Sequence, residues 1–156
     1  MNDENASATD REIVLTREFD APRAVVFEAW TKAEHVAKWW DPTGVPLSSC
    51  EIDLRPNGAF RWVNRAHGEH HVFAGRYREI TPPERLVFEV DFFPTSPAPV
   101  TTLSFVEHGG KTTLTLTIRC ASPEDRAAML QMGIDVGTGM TLQNLSEYLG
   151  TMELVN

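Results

Sequence analysis

Residues 100–119 read VTTLSFVEHGGKTTLTLTIR. Two runs of alternating threonine and apolar residues flank Gly109-Gly110, a strong signal for a tight two-residue hairpin. Successive strand residues point to opposite faces, so Leu103 and Phe105 share one side of the first run. Leu114, Leu116 and Ile118 share one side of the second. A sheet with one apolar face has to cover it. The next residues supply the cover: Ser122-Pro123-Glu124-Asp125 is a helix start, with a capping serine, a proline in the first turn and acids that complement the helix dipole. The spacing predicts a helix from there to about Leu149, ended by Gly150. Leu142, Leu145 and Leu149 form one apolar stripe on it, and Met129, Met132, Val136 and Met140 form a second, offset stripe. Gly133, Gly137 and Gly139 lie within it, each costing up to about 1 kcal/mol relative to alanine in a helix interior. Either something approaches this helix closely or it bends there.

Working back toward the N-terminus, strand follows strand. RLVFEVDFF (85–93) sets Leu86, Phe88, Val90 and Phe92 against Val87, Glu89 and Asp91. VFAGRYREI (72–80) puts Phe73, Gly75 and Tyr77 together, AFRWVNR (59–65) puts Phe60, Trp62 and Asn64 together, and SSCEIDLRP (48–56) alternates Cys50, Ile52 and Leu54 with charges. Asn57-Gly58, Pro82-Pro83 and the proline-rich 94–99 mark the turns between them. IVLTREFD (13–20) is a further strand with Ile13, Leu15, Arg17 and Phe19 on one face. Pro22 then opens a short helix carrying Val26, Phe27 and Trp30, and a second short helix ends at Trp39-Trp40, before Asp41-Pro42. The order β-α-α-β-β-β-β-β-β-α predicts an α+β fold: a curved seven-stranded antiparallel sheet around one long C-terminal helix, with two short helices after the first strand.

At 156 residues the chain is one domain, able to bury roughly 70% of its unfolded surface. We place the domain at 12–150, with a disordered tail at 1–11 and a C-terminal tail at 151–156. The net charge of −8 and the lack of any basic run argue against nucleic acid and anionic membranes as partners. Cys50 and Cys120 stand far apart without metal-ligand spacing, as expected for reduced thiols. The opening MNDENASATD is unlike a secretory signal, and no apolar run is long enough to span a bilayer, which predicts a cytoplasmic protein.

Five segments carry a family resemblance: 16–40 (TREFDAPRAVVFEAWTKAEHVAKWW), 51–62 (EIDLRPNGAFRW), 73–89 (FAGRYREITPPERLVFE), 103–116 (LSFVEHGGKTTLTL) and 142–149 (LQNLSEYL). The chain resembles the START-like, or helix-grip, superfamily. Within it, it resembles the family named after the activator of the heat-shock protein 90 ATPase, in its bacterial single-domain form. The resemblance implies the helix-grip fold and small hydrophobic ligands, polyketide cyclase-like chemistry or a chaperone partner in a stress response. One departure stands out. Relatives often carry Gly-Trp in the last helix, where this chain has Gly137-Thr138, removing a bulky group beside the sheet.

A sheet gripping one helix need not fill its interior, so the concave face is the place to look for a site. Its candidate ligand-binding residues are Phe60, Trp62, Asn64, Phe73, Tyr77, Phe88, Val90 and Phe105, with Met132, Val136 and Met140 from the helix and Trp40 at the mouth. Taken singly, each reads as core. As a set they bring polar atoms to an apolar face, and these need partners from a ligand, from water or from other side chains. Adjacent helical residues point about 100° apart, so Trp39 should pack inward while Trp40 faces the cavity mouth or solvent. His67, His70, His71 and Glu69 match no zinc spacing and read as a solvated hairpin; Arg17 reads as a residue of the sheet rim. No nucleophile, metalloprotease or phosphate-loop motif occurs, and Tyr77 and Asn64 are the only inward groups with any acid–base or oxyanion capacity. The leading expectation is therefore a small hydrophobic or aromatic ligand held between sheet and helix, with no cofactor, no metal and no catalytic residue. A chaperone-interacting module and a polyketide cyclase-like enzyme are the alternatives. A homodimer through a sheet edge or the short helices is compatible with the pattern, though no residue argues for it.

Overall fold

The computed structural model describes residues 10–41, 43, 45–65, 71–91 and 97–155. The elements run β1 (Glu12–Phe19), α1 (Arg23–Thr31), α2 (Ala33–Trp39), β2 (Ser49–Ile52), β3 (Ala59–Asn64), β4 (His71–Thr81), β5 (Arg85–Val90), β6 (Val100–His108), β7 (Lys111–Arg119), α3 (Pro123–Gln131) and α4 (Ile134–Val155). The sheet order is β1-β7-β6-β5-β4-β3-β2, antiparallel throughout. Strands β2 to β7 thus form a meander, and β1 returns beside β7. This is the α+β architecture read from the alternation, and the helix-grip fold that the resemblance implies. The β6–β7 turn pairs His108 with Lys111, and both Gly109 (φ 54°) and Gly110 (φ 81°) take the left-handed backbone that a tight hairpin requires.

The C-terminal helix differs from expectation at two points. It is not continuous from Ser122. Helix α3 starts as predicted, with the Ser122 hydroxyl accepting from the Asp125 amide at 3.1 Å, but it ends at Gln131. Gly133, with φ 79°, breaks it before α4 begins. Of the two explanations for the glycines, the bend is the one realised: a Cβ at Gly137 or Gly139 would meet nothing within 4 Å. Nor does the helix end at Gly150; it continues to Val155, because Gly150 is not among the residues with the positive φ of a left-handed cap. Residues 151–155 are thus helical. Residues 1–9 of the expected N-terminal tail, and His67, Glu69 and His70, lie outside the described residues; His71 is the exposed first residue of β4.

Leu142, Leu145 and Leu149 seat α4 on the sheet, all nearly fully buried. A completely buried leucine contributes about 1.5–3 kcal/mol. The inward residues Leu103, Leu114, Leu116 and Ile118 of β6 and β7 belong to the same buried core. Helices α1 and α2 close one end, with Trp30 and Trp39 in edge-to-face contact at 4.8 Å. No described helix is long and apolar enough to cross a membrane.

Candidate functional site

The tryptophan pair at the end of α2 divides as the helical offset demands. Trp39 is buried, and its indole N–H donates to the Ala29 carbonyl at 3.1 Å. Trp40 is half-buried and reaches across to the sheet, meeting Trp62 at 4.6 Å and Phe73 at 4.7 Å between ring centroids. Its position is fixed from α4. The Thr141 hydroxyl donates to the Trp40 carbonyl at 3.0 Å, and the Asn144 amide donates to the Asp41 carbonyl at 2.7 Å. These two side chains satisfy carbonyls that the end of α2 leaves without helical partners. A third tie pairs His35 with the Tyr148 hydroxyl at 2.5 Å, and the other His35 ring nitrogen lies 3.4 Å from the Glu28 carboxylate.

Between α4 and strands β5–β7 lies a cavity of about 300 Å³. That is the small end of the range for small-molecule pockets. Trp30, Trp40, Phe73 and Phe88 supply aromatic wall, and Val90, Leu116, Ile118 and Ile134 supply aliphatic wall. The helix side is low, because the residues facing the sheet there are Gly133, Gly137 and Thr138. The cavity opens to solvent past Met132, which lines it while remaining 59% exposed. No lining residue is charged.

Five of the residues singled out in the sequence therefore line this space: Trp40, Phe73, Phe88, Val90 and Met132. The others do not. Phe60, Trp62 and Tyr77 belong to a packed aromatic cluster beside it, in which Phe60 sits 5.1 Å from Trp62 and 5.2 Å from Tyr77, and Trp62 stacks on Phe73 at 5.4 Å. This cavity does not touch Trp62 or Tyr77: Trp40 covers that end of the sheet, and the space lies toward β5–β7. Asn64 is buried at the end of β3, and Phe105 packs edge-on against Phe27 at 5.4 Å, away from the cavity. Val136 and Met140 are 65% and 48% exposed. They stand two residues, about 200°, from the cavity-facing Ile134 and Thr138, so they point away from the sheet. Arg17 lies on the helix-facing side of the rim strand and bonds to Gln143 of α4.

Sequence reasoning passed over Trp30, Thr101, Leu116, Ile118, Ile134, Gly137, Thr138 and Thr141 as lining residues. Thr101 had a readable signal: it occupies the inward position of β6 that Leu103 and Phe105 continue. Tyr77, the candidate for acid–base work, has its hydroxyl sealed from solvent without a partner. Burial, with a smaller contribution from the nearby Cys50, pushes its pKa above the ordinary tyrosine value, so it stays neutral and cannot serve as a base. Burial likewise pushes the Cys50 thiol up to about 11. Among the described residues no group of three or more His, Cys, Asp or Glu side chains could hold a metal ion.

Comparison with known proteins agrees with the fold. No curated protein matches the sequence. A solved protein of Nitrosomonas europaea is 27% identical, with 93% of this chain and 97% of that one covered and a TM-score of 0.83. One from Chromobacterium violaceum is 26% identical, covering 87% and 95%, with a TM-score of 0.72. One from Mycobacterium smegmatis, at 24% identity, coverage of 91% and 92% and a TM-score of 0.79, shares the fold. The family model described as activator of Hsp90 ATPase homolog 1-like protein matches residues 20–150. With most of its length so matched, the chain belongs to the activator of Hsp90 ATPase homolog 1-like family.

Proposed function

We propose that this protein binds a small, largely apolar ligand between its sheet and its C-terminal helix. One observation carries the reading. The interior is close-packed around Phe60, Trp62 and Tyr77, yet a cavity of about 300 Å³ with an aromatic and aliphatic wall persists beside them. Protein interiors normally leave few voids larger than a water molecule. An apolar space of this size with an opening past Met132 suits a guest that gains by leaving water.

Gly137 provides the test. It lines the cavity, and a Cβ added there meets no atom within 4 Å. Gly137→Leu therefore starts from an unobstructed Cβ beside the open space, while improving helix propensity. The wild type is expected to bind the neutral fluorophore N-phenylnaphthylamine saturably, and Gly137→Leu to lose at least tenfold in affinity while keeping its unfolding midpoint or raising it. Equal binding by both proteins would place the fluorophore elsewhere and remove the support for this reading.

A protein-binding role is the second reading, and the exposed pair Val136 and Met140 on the outer face of α4 favours it. The same variant separates the two, because filling the cavity leaves that outer face of α4 untouched.

A further inference from the structure

Four threonines are buried among the described residues: Thr31, Thr101, Thr112 and Thr141. Three have found acceptors. Thr31 donates to the Phe27 carbonyl at 2.9 Å, Thr112 to the Ala21 carbonyl at 2.7 Å and Thr141 to the Trp40 carbonyl at 3.0 Å. Thr101 is the exception. It is 5% exposed, and no described residue forms a hydrogen bond with its hydroxyl. It lies in register with Phe88 on one side and Ile118 on the other, so all three share the face that floors the cavity. Its hydroxyl is also not among the unpartnered polar atoms sealed from solvent, which are Trp30 Nε1, Trp62 Nε1 and Tyr77 OH. A guest in the cavity can reach it.

A hydroxyl set in an apolar wall is costly unless something bonds to it. Valine would fill the same volume and suit the strand equally well. The rest of the lining carries no charge, and its other two hydroxyl groups belong to Thr138 and to Thr141, the latter already donating to Trp40. Arg17, a cation on the helix-facing side of β1, is held by Gln143 and does not line the cavity. An ionised carboxylate entering here would lose its hydration with no cation to receive it.

We infer that the cavity selects a neutral, ring-bearing molecule that places one hydrogen-bonding oxygen against Thr101. The aromatic wall of Trp30, Trp40, Phe73 and Phe88 receives the ring, and the threonine sets its orientation. This rests on the ligand-binding reading above and goes further, by naming the chemistry of the guest.

Three probes of matched shape test it on the intact protein by calorimetric titration: acetylnaphthalene, its hydrocarbon isostere isopropenylnaphthalene, and naphthoate. The wild type is expected to favour the ketone over the isostere by about threefold to tenfold, the worth of one net hydrogen bond. Naphthoate at neutral pH should be the weakest of the three. Thr101→Val keeps the volume and removes only the hydroxyl; it should erase the advantage of the ketone over the isostere. Its unfolding midpoint checks that it folds. If ketone and isostere bind the wild type equally, or Thr101→Val keeps the preference, the assignment to Thr101 is overturned while ligand binding stands. If naphthoate binds best, the requirement for neutrality is overturned. If no probe binds, the ligand-binding reading itself fails.

Discussion

The two ends of one concave face have opposite fates. Over β3 and β4, Trp62 and Phe73 meet the ring of Trp40, Phe60 packs on Trp62 and Tyr77 on Phe60, and the space is full. Over β5 to β7, an equally apolar face built from Phe88, Val90, Leu116 and Ile118 meets Gly133, Gly137 and Thr138, and the space is empty. The strands do not differ in kind. What differs is the covering element: a tryptophan reaching over from α2 at one end, and the small residues of α4 at the other. Whether an aromatic wall becomes core or cavity is decided by the residues opposite it.

The sharpest way to break this comparison is to cut into the filled end. Trp62→Ala removes a buried indole in contact with Trp40, Phe60 and Phe73, and should lower stability by about 3–5 kcal/mol in denaturant unfolding. A loss below about 1 kcal/mol would mean that this end is not packed as described. The converse experiment fills the empty end. Thr138→Trp sets a bulky ring on the low helix side of the cavity, and should abolish binding of N-phenylnaphthylamine without destabilising the fold.

Smaller effects sharpen the contrast. Tyr77→Phe removes a sealed, unpartnered hydroxyl from the filled end, and should stabilise the protein by about 1 kcal/mol at neutral pH. The same substitution should alter the alkaline limb of stability. Tyr77 and Cys50 both have folded pKa values raised by burial, so the fold holds the protonated forms. Their favourable effect is complete below the ordinary values of 10.0 and 9.0, and it is lost as pH rises past those values toward the higher folded ones. The wild type should therefore lose stability as pH rises above about 9, and Tyr77→Phe should flatten the part of that loss above pH 10. A parallel decline in both proteins would show that Tyr77 is not sealed. Smallest of all is Val136→Ser on the outer face of α4, which should change stability by no more than about 0.5 kcal/mol and leave fluorophore binding untouched.

The meander was legible because period-two alternation and the Gly109-Gly110 turn are local signals. So was the start of the last helix, since Ser122 caps it through a neighbour three residues away. The break was visible only as an excess of glycine. Nothing local distinguishes Gly133, which takes φ 79°, from Gly137 and Gly139, which stay within the regular helix. At the site, parity along the strands placed Phe73, Phe88 and Val90 on the right face, but it placed Phe60, Trp62 and Tyr77 there as well. Separating the two groups requires knowing how far the Trp40 ring extends over the sheet, and that depends on the clasp of Thr141 and Asn144 on the end of α2, about a hundred residues away in sequence. Val136 and Met140 were misplaced for a related reason. Once Gly133 breaks the helix, Ile134 and Thr138 set the face of α4 that meets the sheet, and the offset methionine stripe no longer continues into it.

The account stands on the location of the guest, and amide NMR of the wild type titrated with acetylnaphthalene reads that directly. Saturable shifts should concentrate at Thr101, Ile118, Gly137 and Thr138, with Ala59, Arg61 and Val136 left unmoved. Shifts that instead cluster around β2 and β3, or along the outer face of α4, would contradict it.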